Sequence, residues 1–178
     1  GIHIHFKDFR PDFPFMRQAF LIGLPASLEQ SSRSASAIAM TMLVASFGTT
    51  VVAAYGIGIR ILMVMIIPAM GLSMATSTLV GQNIGAGKMY RAERTTLIAA
   101  ILGFVVLISV AIIAFPFTDE LARFFMPRGG EAIGYSAEFI RILLFAAGFI
   151  GIVMVINGTF RGAGDMRSAM VFAFISSW

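Results

Sequence analysis

The residues best suited to chemistry in this chain lie in LEQSSRSAS, Leu28 to Ser36. On a helix, Glu29, Ser32, Arg33 and Ser36 fall at i, i+3, i+4 and i+7 and share one face, with Gln30 beside them. Leu21, Leu24, Leu28 and Ala35 lie toward the other side. Glu29 precedes Arg33 by four residues, the better orientation for an intrahelical ion pair. Two roles fit this pattern. One is a self-neutralised pair that locks the helix to its neighbours. The other is a water-accessible wall on which Glu29 changes protonation or ion occupancy. The four serines and Gln30 favour the second, because a purely structural pair needs no such polar lining.

The setting makes the charges conspicuous. The chain is 58% hydrophobic and only 12% charged, whereas soluble domains are nearer a quarter charged. Ile61 to Gly87, Thr95 to Thr118 and Ile142 to Phe160 contain no charged residue. A spanning helix needs ~20 mostly apolar residues. These runs lack the alternation of a membrane β-barrel. The expected fold is therefore all-α, a polytopic transmembrane bundle with helices near 17–47, 51–84, 92–117, 133–160 and a truncated one at 168–178. Residues 1–16, with Pro11 and Pro14, read as a cytoplasmic linker or interfacial strip. The chain begins with Gly and stops at Trp178 inside an apolar run, so it is expected to be a piece of a longer protein.

A helix from Arg17 to Phe47 would span ~45 Å, which places Glu29 and Arg33 near the middle of the membrane. A charge there costs at least ~2.5–3.5 kcal/mol, so it must pair or face water. Pro25 and Pro68 are expected to bend their helices. Arg60, Glu138 and Arg141 also fall inside helices, at similar depth, and Arg60 is expected to pair with Glu138 within ~4 Å. The other basic residues are lopsided: Lys7, Arg10, Arg17, Lys88, Arg91, Arg94, Arg161 and Arg167 fall on one side, Arg123 and Arg128 on the other. The positive-inside rule makes the first side cytoplasmic.

Other classes are disfavoured. The net charge of +4 sits where topology puts it and does not suggest nucleic acid. Cysteine is absent, and the two histidines, His3 and His5, lie in the terminal strip. There is no metal-ligand cluster and no serine with a base placed beside it, so neither an enzyme nor a metal centre is expected. A non-catalytic membrane scaffold would leave the charged, hydroxyl-rich helix face unexplained.

Leu79 to Thr95 reads LVGQNIGAGKMYRAERT. Gly81, Gly85 and Gly87 permit a helix end and a close turn. Gln82 and Asn83 are placed to bond orphaned backbone groups there, and Lys88, Arg91 and Arg94 to meet anionic headgroups. The spacing is not that of a phosphate-binding loop. This stretch resembles the signature of the multidrug and toxic compound extrusion (MATE) family. GLPASLEQ from Gly23, FGTTVVAAYGIGIRI from Phe47, PAMGLSMATSTLVGQNIGAG from Pro68 and FRGAGDMRSA from Phe160 follow in the family's order.

The resemblance implies a twelve-helix transporter of two six-helix lobes, of which this chain supplies about four and a half helices of one, the C-terminal lobe. It implies antiport: inward proton or sodium flow drives export of cationic amphipathic compounds, with no cofactor beyond the coupling ion. Membrane lipid and the other lobe are the implied partners, and Glu29 is the candidate coupling acid. Met40, Met63, Met65, Met70 and Met74 would give the substrate an adaptable wall. Asn157-Gly158-Thr159 fits a glycosylation sequon but lies near a cytoplasmic helix end, so it is set aside. A lipid-linked oligosaccharide flippase of the same superfamily is the alternative; it should show a more cationic cavity, and Arg33, Arg60 and Arg141 keep it in view.

Overall fold

The computed structural model describes residues 12–125, 130 and 132–177. Every regular element among them is helical: α1 Phe13–Ala45, α2 Thr49–Gly85, α3 Met89–Ala114, a 3-10 turn Phe115–Phe117, α4 Thr118–Phe125, α5 Ala132–Gly162 and α6 Met166–Ser177. Three stretches are long and apolar enough to cross a membrane, Thr49–Gly85, Met89–Phe125 and Ala132–Gly162. The fold is an all-α transmembrane bundle. α1 has the length to span but is diluted by its polar segment.

Local chemistry sets the helix ends. α1 begins at Phe13 rather than near Arg17 because the Asp12 carboxylate accepts from the Phe15 amide at 3.2 Å, and Pro14 occupies the first turn, where a missing N–H costs nothing. Most of the strip expected at 1–16, including His3 and His5, lies outside the described residues, as does Arg128. α2 runs unbroken through Pro68, as α1 does through Pro25.

The ends of α2 and α5 are built alike, as Gly-Ala-Gly turns. Lys88 N–H donates to the Asn83 carbonyl at 2.8 Å and Gly87 N–H to that of Ile84 at 2.9 Å; Asp165 N–H donates to Phe160 at 3.0 Å and Gly164 N–H to Arg161 at 3.1 Å. In each, the second glycine has positive φ, +70° at Gly87 and +75° at Gly164, the left-handed closure of a helix C-terminus. Backbone amides, not the Gln82 and Asn83 side chains, thus serve the orphan carbonyls; the Asn83 amide donates back to Leu79 O at 2.8 Å. Past the second turn, the Asp165 carboxylate caps α6, accepting from Ser168 Oγ at 2.6 Å and Ser168 N at 3.1 Å. Those bonds hold its carboxyl below the usual range. The cap is therefore complete at neutral pH and is lost only as pH falls through that lowered value.

α5 is the axis of the bundle, packed on α2, α3, α4 and α6. One apolar core joins Ile57, Ile61 and Met65 of α2, Leu107 and Ala111 of α3, Ala122 of α4, and Ile140 and Leu144 of α5. Lipid offers no hydrophobic drive between helices, so close backbone approach and polar contacts matter more. A Cβ on Gly151 would collide with the Gly103 carbonyl, one on Gly158 with that of Ser73, and one on Gly162 with that of Ser77. Ser73 Oγ donates to Met154 O at 2.7 Å, and Thr159 Oγ1 to Thr96 Oγ1 at 3.1 Å. These contacts make α2 and α5 parallel and α3 antiparallel to both, which brings the two basic turns to one end of the bundle.

α1 belongs to a different order of packing. It leans chiefly on α6, with a smaller contact to α2, and its buried residues are Pro25, Glu29, Ser32 and Val44. The apolar core does not include it.

The same substitution at two glycines tests this packing. Gly71 has open space where its Cβ would be, so Gly71→Ala should be neutral or stabilising by up to about 1 kcal/mol. Gly151→Ala should destabilise by about 1–3 kcal/mol, the range for overpacking. Thermal melts of the full-length protein in detergent compare them; equal melting points would refute the close approach of α3 and α5.

Candidate functional site

Glu29 is 1% exposed, the most buried charged side chain among the described residues. Its Oε1 accepts from Arg161 Nη2 at 2.8 Å and from Arg33 Nη2 at 3.4 Å. Arg33 comes from the next turn of α1, whereas Arg161 comes from the last turn of α5. Among the described residues, Glu29 Oε2 has no hydrogen-bond partner, nor do Arg33 Nε and Asn157 Oδ1. Ser32 is buried beside this cluster, and Ser36 is half-buried a turn further on.

The two arginines that hold the carboxylate line a cavity of about 230 Å³ between α1, α2 and α5, of which Glu29 itself is not a lining residue. α1 contributes Gln30 and Arg33, α2 contributes Met70, Ser73 and Met74, and α5 contributes Met154, Asn157 and Arg161. The polar floor is prearranged: Ser73 Oγ is tied to Met154 O, and the Asn157 amide donates to Val153 O at 3.1 Å. Of the methionines expected to form an adaptable wall, Met70 and Met74 do line the cavity. Met65 is in the core, and Met40 and Met63 are exposed elsewhere.

Several expectations are corrected. Glu29 is the midpoint of α1, but it meets Arg161, the penultimate residue of α5. It therefore lies nearer the basic ends of the bundle than the length of its own helix suggests. Arg60 and Glu138 do not pair; both are exposed. The α2–α5 seam there is formed by Gly58 receiving the Phe139 ring, and each charge projects roughly a third of a turn or more off it. Arg141 instead donates to Asp119 Oδ2 at 2.8 Å and Thr118 Oγ1 at 3.2 Å, tying α4 to α5. Gly81, Gln82, Asn83, Gly85, Gly87 and Arg91 do not line the cavity. They form the α2–α3 turn, with Gly81 facing Gly162 at the matching α5 end.

Arg161, Asn157 and Ser73 are the site residues that sequence reasoning missed. Arg161 reads as one more basic residue of a cytoplasmic turn, and Asn157 as part of a discounted sequon. The available signal was an amide set one turn before an arginine in an otherwise apolar helix.

Magnitudes separate the two kinds of ion pair. Removing one partner of a buried charge strands the other, at about 1–3 kcal/mol or more. An exposed pair is worth about 0–1 kcal/mol. The Arg141–Asp119 side chains are 43% and 52% exposed, whereas Glu29 is closed off. Arg161→Gln should therefore lower the melting point of the full-length protein clearly more than Arg141→Gln, and Glu29→Gln in the Arg161→Gln background should recover part of the loss. An Arg161→Gln melt no lower than that of Arg141→Gln would show that Arg161 does not hold α1.

Comparison with known proteins fits this architecture. A probable multidrug resistance protein NorM from Bradyrhizobium diazoefficiens is 30% identical over 97% of this chain and 39% of its own length. A probable multidrug resistance protein YpnP from Bacillus subtilis is 29% identical over 94% of this chain and 38% of its own length. The chain thus spans less than half of these relatives. Two solved structures superpose with TM-scores of 0.82 over 90% of this chain and 35% of theirs. One is a MOP superfamily transporter from Pyrococcus furiosus, at 29% identity. The other is an outward-facing multidrug resistance MATE family transporter, at 28%. The sequence profile of the MatE family matches residues 25–178, and with its order of motifs and its bundle the chain belongs to that family.

Proposed function

We propose that this chain forms most of one lobe of a cell-membrane antiporter that exports cationic amphipathic compounds in exchange for protons or sodium. The multidrug resistance names of its relatives support the efflux part of this reading. The observation that carries the coupling part is the Glu29 carboxylate, 1% exposed, with Oε2 unpartnered among the described residues and its two arginine partners lining a cavity between three helices. A buried carboxylate oxygen without a donor is a place for a proton or a small cation to bind. The occupant of Oε2 would weaken the hold of Glu29 on Arg161 and Arg33. Because α1 lies outside the apolar core and leans chiefly on α6, that hold is what ties it to α5. Loading the acid thus shifts α1 against α5 and reshapes the cavity, whose methionines adapt to varied apolar bodies. A second lobe of the same protein closes the cavity, and lipid covers the outer faces.

A second reading, the lipid-linked oligosaccharide flippase, is favoured by one observation: two guanidiniums, Arg33 and Arg161, line the cavity. A pyrophosphate would suit such a wall.

The full-length protein in proteoliposomes, under an imposed proton or sodium gradient, distinguishes the readings by export of a fluorescent cation. Export should follow one of the gradients and fall at least about tenfold in Glu29→Gln, equivalent to ~1.4 kcal/mol. Export by Glu29→Gln at the wild-type rate would remove Glu29 from coupling, and export indifferent to both gradients would remove antiport.

A further inference from the structure

We infer that the cavity between α1, α2 and α5 holds a subsite for one anionic group, a carboxylate or a phosphate, and that Arg33 is the side chain that binds it. This rests on the reading of the cavity as ligand-facing. It uses a different atom set from the coupling proposal, the guanidinium of Arg33 rather than Oε2 of Glu29.

The first support is charge. Two guanidiniums line the cavity and no carboxylate does. Glu29, behind the wall, is the one acid among the described residues that is ion-paired to either of them. Two positive charges share one negative charge, and the Arg33 and Arg161 side chains are 34% and 50% exposed, so the surplus charge is open to a partner from outside.

The second support is that the two arginines are not equivalent. Arg161 closes on Glu29 at 2.8 Å, a full charge-assisted bond, whereas Arg33 stands off at 3.4 Å, at the limit of hydrogen-bond range. Arg33 Nε is buried without a partner. Arg161 is committed to holding α1, and Arg33 has its planar fork to spare. That fork matches the two oxygens of a carboxylate or phosphate.

The third support is the rest of the wall. Ser73 Oγ donates to the Met154 carbonyl and one amide hydrogen of Asn157 to that of Val153, so Arg33, Gln30 and the second Asn157 amide hydrogen are available to an incoming anion. Met70, Met74 and Met154 flank them and receive the carbon body attached to it. The anion comes either from a soluble amphipathic compound or from a lipid head group.

Titration calorimetry on the full-length protein in neutral detergent tests this, with phenyl phosphate as the anionic probe and benzylamine as its cationic counterpart. Wild type should bind phenyl phosphate, and benzylamine binding should not depend on Arg33. Arg33→Gln should weaken that binding about tenfold, as expected for one charge-assisted contact, and Arg33→Lys should fall between. Glu29→Gln, which also frees Arg161, should bind at least as tightly as wild type, a gain that a merely structural role for Arg33 would not produce. In phosphatidylcholine nanodiscs, added phosphatidylglycerol should displace the probe if the occupant is a lipid, and leave it in place if the occupant is soluble. The inference is overturned if wild type binds no phenyl phosphate. It is equally overturned if both Arg33 variants bind like wild type, or if Glu29→Gln loses as much as Arg33→Gln. Loss of ion-driven export in Glu29→Gln, with its phenyl phosphate binding intact, bears on coupling alone.

Discussion

The bond between Glu29 and Arg161 is the polar contact that ties α1, which otherwise leans chiefly on α6, to the end of α5. Helices α2, α3 and α5 hold one another by apolar packing and by carbonyls set against glycines. α1 has none of this at its centre. Its most buried side chain is a carboxylate, held at 2.8 Å by an arginine from the far end of another helix. A charge in that position is tolerated only while it is paired. The element that carries the polar face is thereby fastened to α5 by an ion pair, whereas the trunk behind it is held by apolar packing and close backbone contacts.

The trunk owes its rigidity to small residues. Gly103 against Gly151, and Gly158 and Gly162 against the Ser73 and Ser77 carbonyls, bring backbones to distances a Cβ would forbid. Such contacts fix the register of α5 on α2 and α3. That register carries Asn157 and Arg161 to the level of Glu29 and Arg33. The Gly-Ala-Gly turns then end α2 and α5 at the same height, with Gly81 facing Gly162. The family signature is thus architectural in this lobe: it closes helices and aligns them and does not itself line the cavity.

Part of this was legible in the residues and part was not. The charge-free runs announced membrane-spanning helices, because burying ~20 consecutive apolar residues leaves few other choices. The i, i+4 spacing brought Arg33 to Glu29 without any tertiary information. Depth alone does not pair Arg60 with Glu138. Similar depth along two helices says nothing about rotation about their axes, and the Gly58–Phe139 contact turns both charges outward. The depth of Glu29 was misjudged for a related reason. The middle of α1 is not the middle of α5 when the two helices are offset along their length.

By itself, then, the sequence determined what is local: helical spans, their caps and Gly-Ala-Gly ends, the polar face of α1 and the family motifs. These depend on neighbours within a few residues, and the chain lists those neighbours in order. Only the tertiary structure decided that Arg161, and not Arg33 alone, holds Glu29, that Ser73 and Asn157 share its cavity, and that Arg141 turns to Asp119. Those partners stand far apart along the chain. Which of them meet depends on the rotation and offset of whole helices, set by the sum of many backbone and side-chain contacts that no single stretch of residues contains.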